Sequence, residues 1–307
     1  MMLGSGSHVY EVVEGWGRLP RGVQFGYTHG VVVDSQDRVY VHNQSKDAVI
    51  IFDLDGNFLG SWGEEFAGGA HGMFLNQEGG AEFLYLADYK RHIVVKTTLE
   101  GDIIWTLGAP DLPEVYGRRE LYQPTDVAVA PNGDFYVCDG YGQSWIHQYN
   151  ADSKWIRSWG GLGSEPGKLN CPHGIWVDTR RPTPVLLVAD RGNFRIQSFS
   201  LDGKPLGFVT EELRYPCCFY QFGGEMYIPD LHGRVTIFDK DNKLITHLGD
   251  YPDVWERPGW PNLPVEERHL GKFVSPHAVC VDSHRDRYDV EWISDGRVTK
   301  LQRCDCT

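Results

Sequence analysis

Short apolar runs recur along the whole chain, and they show little of the three-to-four-residue spacing of an amphipathic helix. Val, Ile, Phe, Tyr and Trp dominate these runs, whereas Gly, Pro, Asp and Asn separate them. Residues of the first kind favour strands, and residues of the second kind favour turns. The pattern therefore predicts an all-β protein.

One unit of three strands recurs along the sequence. It opens with a Pro/His/Gly segment, continues with a short apolar strand that ends in Asp, and adds a second strand, an Asp-containing loop and a third strand. We call the first residue of each copy the opening position; these residues are His29, His71, Thr125, His173, Cys217 and His277. Their spacing of 42 to 60 residues is typical of a four-stranded propeller blade with variable loops.

A fourth apolar strand ending in Gly follows several copies, at 58–63, 103–108, 155–160 and 244–249. The last copy runs out of chain before such a strand, but residues 9–17 carry the same pattern ahead of the first copy. The sequence thus predicts a six-bladed β-propeller of four-stranded blades, whose ring is closed by the N-terminal strand at about 9–17. We expect residues 1–307 to form one domain.

The opening positions are predicted to surround the central axis on one face, because the first strand of a blade lines the channel. His71, His173 and His277 fall in alternate blades, about 120° apart. Three neutral imidazoles that leave a fourth position open are the pattern of a catalytic metal site. In the simpler alternative each imidazole only bonds to a nearby backbone carbonyl. His29 breaks the alternation and either supports the site or merely repeats the motif.

The loops between second and third strands lie at the same end of the blades. Their Asp residues recur so regularly that we expect them to accept backbone N–H bonds and cap the turns. Tyr141 and Arg191 differ between copies and are candidates for contact with a ligand. A phenol near a cation can accept a proton, and a guanidinium can bind a carboxylate as a fork. The alternative is that both are ordinary rim residues.

The net charge and the lack of targeting signals restrict the expected binding partners and the expected location. With 29 Lys plus Arg against 42 Asp plus Glu, the formal net charge of −13 repels nucleic-acid phosphates and anionic lipids. No apolar stretch reaches the roughly 20 residues of a spanning helix, and the N-terminus lacks the apolar core of a secretory signal. We expect no nucleic-acid or membrane partner and a cytoplasmic location; the sequence identifies no protein partner.

The seven cysteines show no spacing of a small disulfide scaffold, so we expect most to be reduced and buried. Cys304 and Cys306 alone make weak evidence for a metal site, since no second pair accompanies them.

Three stretches carry a family resemblance: PTDVAVAPNGDFYVCDGYGQSWIHQY (124–149), WIRSWGGLGSEPGKLNCPHGIWVD (155–178) and VADRGNFRIQSF (188–199). They resemble the lyase domain of peptidylglycine α-amidating enzymes, a six-bladed propeller with NHL-type repeats. The resemblance implies that His71, His173 and His277 bind zinc. It also implies that Tyr141 of the D-G-Y motif acts as a base and that Arg191 of the A-D-R motif serves the site.

The chain departs from that family at three places. His42-Asn43 stands where the family has another arginine; Ala278 replaces an acidic residue that helps hold calcium, and Gly142 replaces a disulfide cysteine. These changes argue against a structural Ca²⁺ ion and against that disulfide.

Three functions remain open from the sequence. The first is a lyase that uses Zn²⁺ or another divalent transition metal to cleave a C–N or C–O bond in a small hydroxylated or carbinolamide-like substrate, either a small molecule or peptide-derived. The second is a lactonase-like hydrolase with the same metal. The third is a non-catalytic NHL propeller that binds a protein. The long segment 250–272 is either a cover over the site or a surface elaboration.

Overall fold

The computed structural model describes residues 1–304, and strands make up most of its regular structure. The helical segments found among these residues are short 3₁₀ turns: Glu64–Phe66, Arg119–Leu121, Arg191–Asn193, Val254–Glu256 and Val265–Glu267. In this part of the chain no helix is long and apolar enough to span a bilayer.

Residues 1–68 and the residues from 217 onward form one compact unit with three sheets. The first sheet contains β3 (Thr28–Val33), β4 (Val39–Asn43), β5 (Val49–Phe52) and β6 (Phe58–Trp62). The next contains β19 (Tyr220–Phe222), β20 (Glu225–Asp230), β21 (Arg234–Phe238) and β22 (Leu244–Leu248). The last contains β1 (Met2–Ser5), β2 (His8–Val13), β25 (Arg297–Arg303), β24 (Arg287–Glu291) and β23 (Pro276–Val281), in that order.

Residues 69–216 form a second compact unit, also with three sheets. Its first sheet contains β7 (Ala70–Glu78), β8 (Ala81–Asp88), β9 (Ile93–Thr97) and β10 (Ile103–Leu107). The second contains β11 (Asp126–Val129), β12 (Phe135–Cys138), β13 (Trp145–Tyr149) and β14 (Trp155–Gly160). The third contains β15 (Pro172–Asp178), β16 (Val185–Asp190), β17 (Arg195–Phe199) and β18 (Pro205–Val209).

Six antiparallel sheets, five of them built from consecutive strands, define a six-bladed β-propeller fold, as the repeat predicted. Within a sheet the inner strands are buried and the fourth strand is largely exposed; β4 is buried throughout, whereas β10 is half-buried to exposed. Apolar clusters between neighbouring sheets of the same unit form the core. One such cluster joins Val41 and Phe52 of β4 and β5 to Cys280 and Tyr288 of β23 and β24.

A five-residue turn links the third and fourth strands of several blades. In the first blade Asp53 Oδ1 accepts a hydrogen bond from the N–H of Asn57 at 2.8 Å, and Gly56 between them has a φ of 78°. The equivalent turn at Asp239 accepts the N–H of Lys243 at 2.9 Å, with Asn242 at a φ of 59°. An acceptor side chain and a residue that tolerates positive φ are what this turn requires.

The N-terminal strand completes the sixth sheet. β2 pairs antiparallel with β25 from Tyr10–Arg303 to Val13–Lys300, which confirms the predicted closure. The strand begins and ends a little earlier than predicted. The sheet also has a fifth strand, because β1 folds back on β2 at its outer edge. The four expected strands are thus present in this blade, and the short polar turn Gly6–Ser7 makes a hairpin that adds β1 to them.

Candidate metal centre and catalytic site

The four histidines at opening positions share a local backbone irregularity. In each of β3, β7, β15 and β23 the register of pairing with the next strand shifts at the histidine. Thr125 and Cys217 precede β11 and β19, which begin at Asp126 and Tyr220, and the pairings within these two strands are regular. A bulge redirects a side chain out of the regular alternation of a strand. Each imidazole is thereby presented at the end of its blade.

His71 and His173 converge on one hydroxyl group in the second unit. The Tyr141 hydroxyl lies 3.0 Å from Nε2 of His71 and 3.0 Å from Nε2 of His173. The two imidazole rings are 4.7 Å apart between centroids, and both residues are 1% exposed. Three groups that can carry or accept protons are thus held together away from bulk water.

A backbone carbonyl fixes the orientation of the His71 ring. Nδ1 of His71 lies 2.6 Å from the carbonyl oxygen of Thr125, so Nδ1 carries the hydrogen and donates it. The lone pair of the neutral ring is then on Nε2, the atom that faces Tyr141. This is the arrangement that metal-binding histidines use.

His277 in the first unit has the same arrangement. Its Nδ1 lies 2.7 Å from the carbonyl oxygen of His29, which leaves its Nε2 as the nitrogen with the lone pair. His29 packs against it with ring centroids 4.6 Å apart, and its own Nδ1 lies 3.1 Å from the carbonyl of Tyr27. Both histidines are 3% exposed. The simpler alternative, an imidazole bonded to a nearby carbonyl, is thus realised at Nδ1 of each ring.

Arg191 lies between two aromatic rings. Its guanidinium carbon is 5.6 Å from the centroid of Tyr141 and 5.1 Å from that of Tyr215. Its Nη2 donates to Sγ of Cys171 at 3.3 Å. The residue is 9% exposed, so its positive charge is held near the Tyr141 phenol in a largely water-excluded position.

Asp139 holds the loop that carries Tyr141. Its carboxylate accepts the backbone N–H groups of Gln123 and Gln143, each at 2.6 Å, and the hydroxyl of Tyr116 at 2.7 Å. Burial raises the pKa of Asp139 to about 6, although these hydrogen bonds favour the charged form. The Tyr116 hydroxyl also lies 2.7 Å from Nε2 of His147. The predicted turn-capping role of the recurring Asp residues is thus confirmed here.

Two glycines allow this loop to pack tightly. A Cβ at Gly140 would lie 2.4 Å from the carbonyl oxygen of Pro172, and one at Gly142 would lie 2.0 Å from Oδ1 of Asp139. Neither position has room for a side chain. In the D-G-Y-G segment the large side chain of Tyr141 therefore lies between two glycines that pack closely against neighbouring atoms.

The segment 250–272 packs over the loops of its own unit. Arg268 Nη1 donates to both carboxylate oxygens of Asp295 at 2.8 Å, and Asn262 donates to the Tyr27 hydroxyl at 2.9 Å. Trp255 stacks on His232 with centroids 4.7 Å apart and 12° between the ring planes. Asp295 and His232 lie in loops between second and third strands, so the segment covers the opening end of these two blades.

Two contact residues were missed from the sequence, Cys171 and Tyr215. Each adjoins a proline that precedes an opening position, in N-C-P-H and Y-P-C, and this proximity was the available signal. Six cysteines lie among the described residues and none of them forms a disulfide there. Cys138, Cys217 and Cys280 are buried and the other three are partly exposed, so burial is less general than predicted. Cys306 lies outside the described residues.

Residues 121–149 match the NHL repeat family. Peptidyl-alpha-hydroxyglycine alpha-amidating lyase 1 of Drosophila melanogaster is 32% identical over 259 residues, which are 78% of this chain and 46% of that protein. NHL repeat-containing protein 3 of Homo sapiens is 29% identical over 210 residues, which are 65% of this chain and 59% of that protein. The chain thus spans about half the length of these relatives.

Solved structures support the fold over nearly the whole chain. A virginiamycin B lyase from Staphylococcus aureus superposes with a TM-score of 0.60 and 10% identity, over 95% of this chain and 99% of that one. A gluconolactonase from Xanthomonas campestris superposes with a TM-score of 0.62 and 14% identity, over 91% of this chain and 86% of that one. At these identities the likeness concerns the fold alone.

Proposed function

We propose a function on the premise that this chain is an NHL-repeat propeller similar in sequence to the amidating lyases. It is a metal-dependent lyase that cleaves the C–N or C–O bond of a small hydroxylated or carbinolamide-like substrate. Zn²⁺ or another divalent transition metal is its cofactor, held by His71, His173 and His277. Tyr141 and Arg191 complete the catalytic site.

One observation carries the proposal: the Tyr141 hydroxyl lies 3.0 Å from the Nε2 atoms of both His71 and His173. The donor set fits a divalent transition metal, because the Nδ1 atoms of His71 and His277 are both committed to backbone carbonyls. The matching bonding of His277 supports its assignment to the same ion. When bound, such an ion supplies a Lewis acid that stabilises negative charge developing on a substrate oxygen.

Tyr141 is the proton acceptor in this proposal. Its phenolic oxygen takes the proton of the substrate hydroxyl as the C–O bond of that carbon gains double-bond character. The bond from the same carbon to nitrogen, or to a second oxygen, breaks with its electron pair on the leaving atom. The leaving atom then receives a proton, so the products are a carbonyl compound and an amide or alcohol. No water is consumed.

Arg191 favours this proton transfer by its position. Its guanidinium lies on the ring face of Tyr141, where a positive charge stabilises the phenolate, the form of Tyr141 that accepts the substrate proton. The same guanidinium can donate to a carboxylate of the substrate, since arginine presents several N–H groups in one plane. Tyr215 holds it from the other side and limits its movement.

The test combines metal analysis with a turnover assay on N-acyl α-hydroxyglycine derivatives. We expect about one transition metal per chain in the wild type, and release of glyoxylate and amide. Tyr141→Phe should keep the metal and lose about 10²–10⁴-fold in kcat. Tyr149→Phe is the matched control, because the buried Tyr149 hydroxyl has no hydrogen-bond partner among the described residues.

Each alternative gives a different result in the same experiment. A lactonase-like hydrolase would open lactones and incorporate oxygen from ¹⁸O-labelled water into its product, which a lyase does not. A propeller that only binds a protein would hold no stoichiometric metal and would be indifferent to Tyr141→Phe. Wild-type protein that stays metal-free after addition of zinc would refute the proposal.

A further inference from the structure

We infer that Cys217 is a fourth protein ligand, supplying sulfur to the metal ion that His277 is proposed to bind. The inference rests on the proposed function and adds to it a specific coordination. Three imidazoles leave one position of a tetrahedral ion open, whereas three imidazoles and a thiolate close it. The resting site would then be closed, and a substrate oxygen would have to displace the sulfur or enter as a fifth ligand.

The position of Cys217 in the repeat is that of a ligand histidine. It opens the fifth blade, and Pro216 precedes it as Pro172 precedes His173 and Pro276 precedes His277. Its backbone N–H donates to the carbonyl of Pro229 at 2.9 Å, which fixes the start of the strand segment. This is the opening position that histidines occupy in four other blades.

The distance to His277 suits shared coordination. The ligand atoms of Cys217 and His277 lie within 4.8 Å of each other, and Cys217 is fully buried while His277 is 3% exposed. Zinc bonds of about 2.0 Å to nitrogen and about 2.3 Å to sulfur, at a tetrahedral angle, separate the two donors by about 3.5 Å. That separation falls inside the limit of 4.8 Å within which the two ligand atoms lie.

Sulfur in the donor set has a chemical consequence. Thiolate favours Zn²⁺ and Co²⁺ over the harder Mn²⁺ and Mg²⁺, so the site would discriminate more strongly than one of three imidazoles. Cys218 is the internal comparison. It is partly exposed, its Sγ lies 3.8 Å from the carbonyl of Phe219, and it packs against the apolar cluster around Cys280.

The test is cobalt(II) substitution of the full chain, read by absorption spectroscopy. A thiolate ligand gives a near-ultraviolet sulfur-to-cobalt charge-transfer band, and imidazole ligands do not. We expect this band in the wild type and in Cys218→Ala. It should be lost in Cys217→Ala, which should still bind one cobalt ion and retain visible ligand-field bands.

The outcomes separate the inference from the proposed function. One cobalt ion per chain without a charge-transfer band, or a band that persists in Cys217→Ala, would overturn the sulfur ligand and leave the lyase proposal standing. Failure of the wild type to bind cobalt or zinc would remove both. If Cys217→Ala is misfolded by circular dichroism, Cys217→Thr replaces it, since threonine occupies the equivalent opening position 125.

Discussion

Two groups of blades differ at the opening position of the repeat. Four blades have histidine there, and the other two have Thr125 and Cys217. In the first group the strand register shifts at the opening residue, and an imidazole is presented there. In the second group the opening residue precedes the first strand, whose pairing is regular, and no imidazole stands at that position. The third blade supplies Tyr141 from its loop and a backbone carbonyl from Thr125. Equivalent sequence positions therefore supply an imidazole in some blades and, at Thr125, a backbone carbonyl that orients an imidazole.

The group that orients His71 and His277 is a backbone carbonyl, and the side chain of the residue that supplies this carbonyl differs between the two. His71 uses the carbonyl of Thr125, and His277 uses the carbonyl of His29. In both cases the acceptor is the opening residue of another blade of the same unit. Its side chain can thus change from histidine to threonine without loss of the hydrogen bond. The hydrogen bond to His277 therefore does not depend on the imidazole of His29.

The largest expected effect distinguishes His173 from His29. His173→Ala should lose the metal and at least about 10³-fold of activity, because the metal supplies several kcal/mol of transition-state stabilisation. His29→Ala keeps the carbonyl that orients His277, so its metal content should stay near one per chain. Elemental analysis of both variants beside the wild type measures this. Equal loss of metal in the two variants would contradict the assignment of His173 as a ligand and of His29 as a residue that acts only through its carbonyl.

The regular third blade should show its own pH dependence. Burial lowers the pKa of His147 from 6.5 to about 3, so between these values the unfolded chain binds a proton that the folded chain does not. His147 therefore makes stability fall as the pH drops from 6.5 towards 3, by a few kcal/mol in total. Asp139, with a pKa raised to about 6, acts in the opposite direction above its usual value of 3.8.

His147→Gln tests this contribution. The variant should unfold in urea with a shallower dependence on pH in that window, while Asp139 contributes to both proteins. Parallel curves for the two proteins would contradict a neutral, buried His147.

Close packing at the bulge of β7 gives the next effect. A Cβ at Gly72 would lie 2.4 Å from Oδ1 of Asp126 and 2.5 Å from the carbonyl oxygen of Thr125. Gly72→Ala should lower the free energy of unfolding by about 1–3 kcal/mol and disturb the carbonyl that orients His71. Gly60→Ala is the control, because its Cβ would meet no atom within 4 Å. Thermal unfolding of both variants should show a lower Tm only for Gly72→Ala.

The smallest effect concerns the Thr125 side chain. Its Oγ1 donates to the carbonyl of Pro172 at 3.1 Å, whereas its own carbonyl accepts from His71. Thr125→Val removes the first bond and keeps the second, so we expect a loss of about 1 kcal/mol in unfolding free energy with metal content unchanged. Urea denaturation and metal analysis together check this. A fall in metal content would show that the side chain, too, orients the site.

The sequence was informative where the repeat was regular. Strand order, blade number and closure by residues near 9–17 followed from periodic apolar runs, because each blade must bury the same faces. Tyr141 and Arg191 were found because they depart from their repeat neighbours. The contact between them, with the guanidinium over the ring, depends on loop conformation that periodicity does not encode.

The features that the sequence did not predict depend on individual residues outside the repeat pattern. The hairpin of β1 depends on a turn at Gly6 that has no counterpart in other blades. The contact of Arg191 with Tyr215 joins residues distant in sequence, and the thiol of Cys171 carries no pattern beyond a neighbouring proline. The metal ligands stay a prediction from alternation and resemblance.

The pairing of β2 with β25 joins strands from opposite ends of the described chain. During synthesis β2 emerges before β25, with Tyr10 and Val12 ready for burial, and must wait until β25 has been translated. Its partner strand contributes Leu301 to the cluster that covers them. Ribosome-bound chains that stop before Arg297 would therefore expose an unpaired strand edge and rely on chaperones for protection from aggregation. This sheet thus becomes complete only after β25 has been translated.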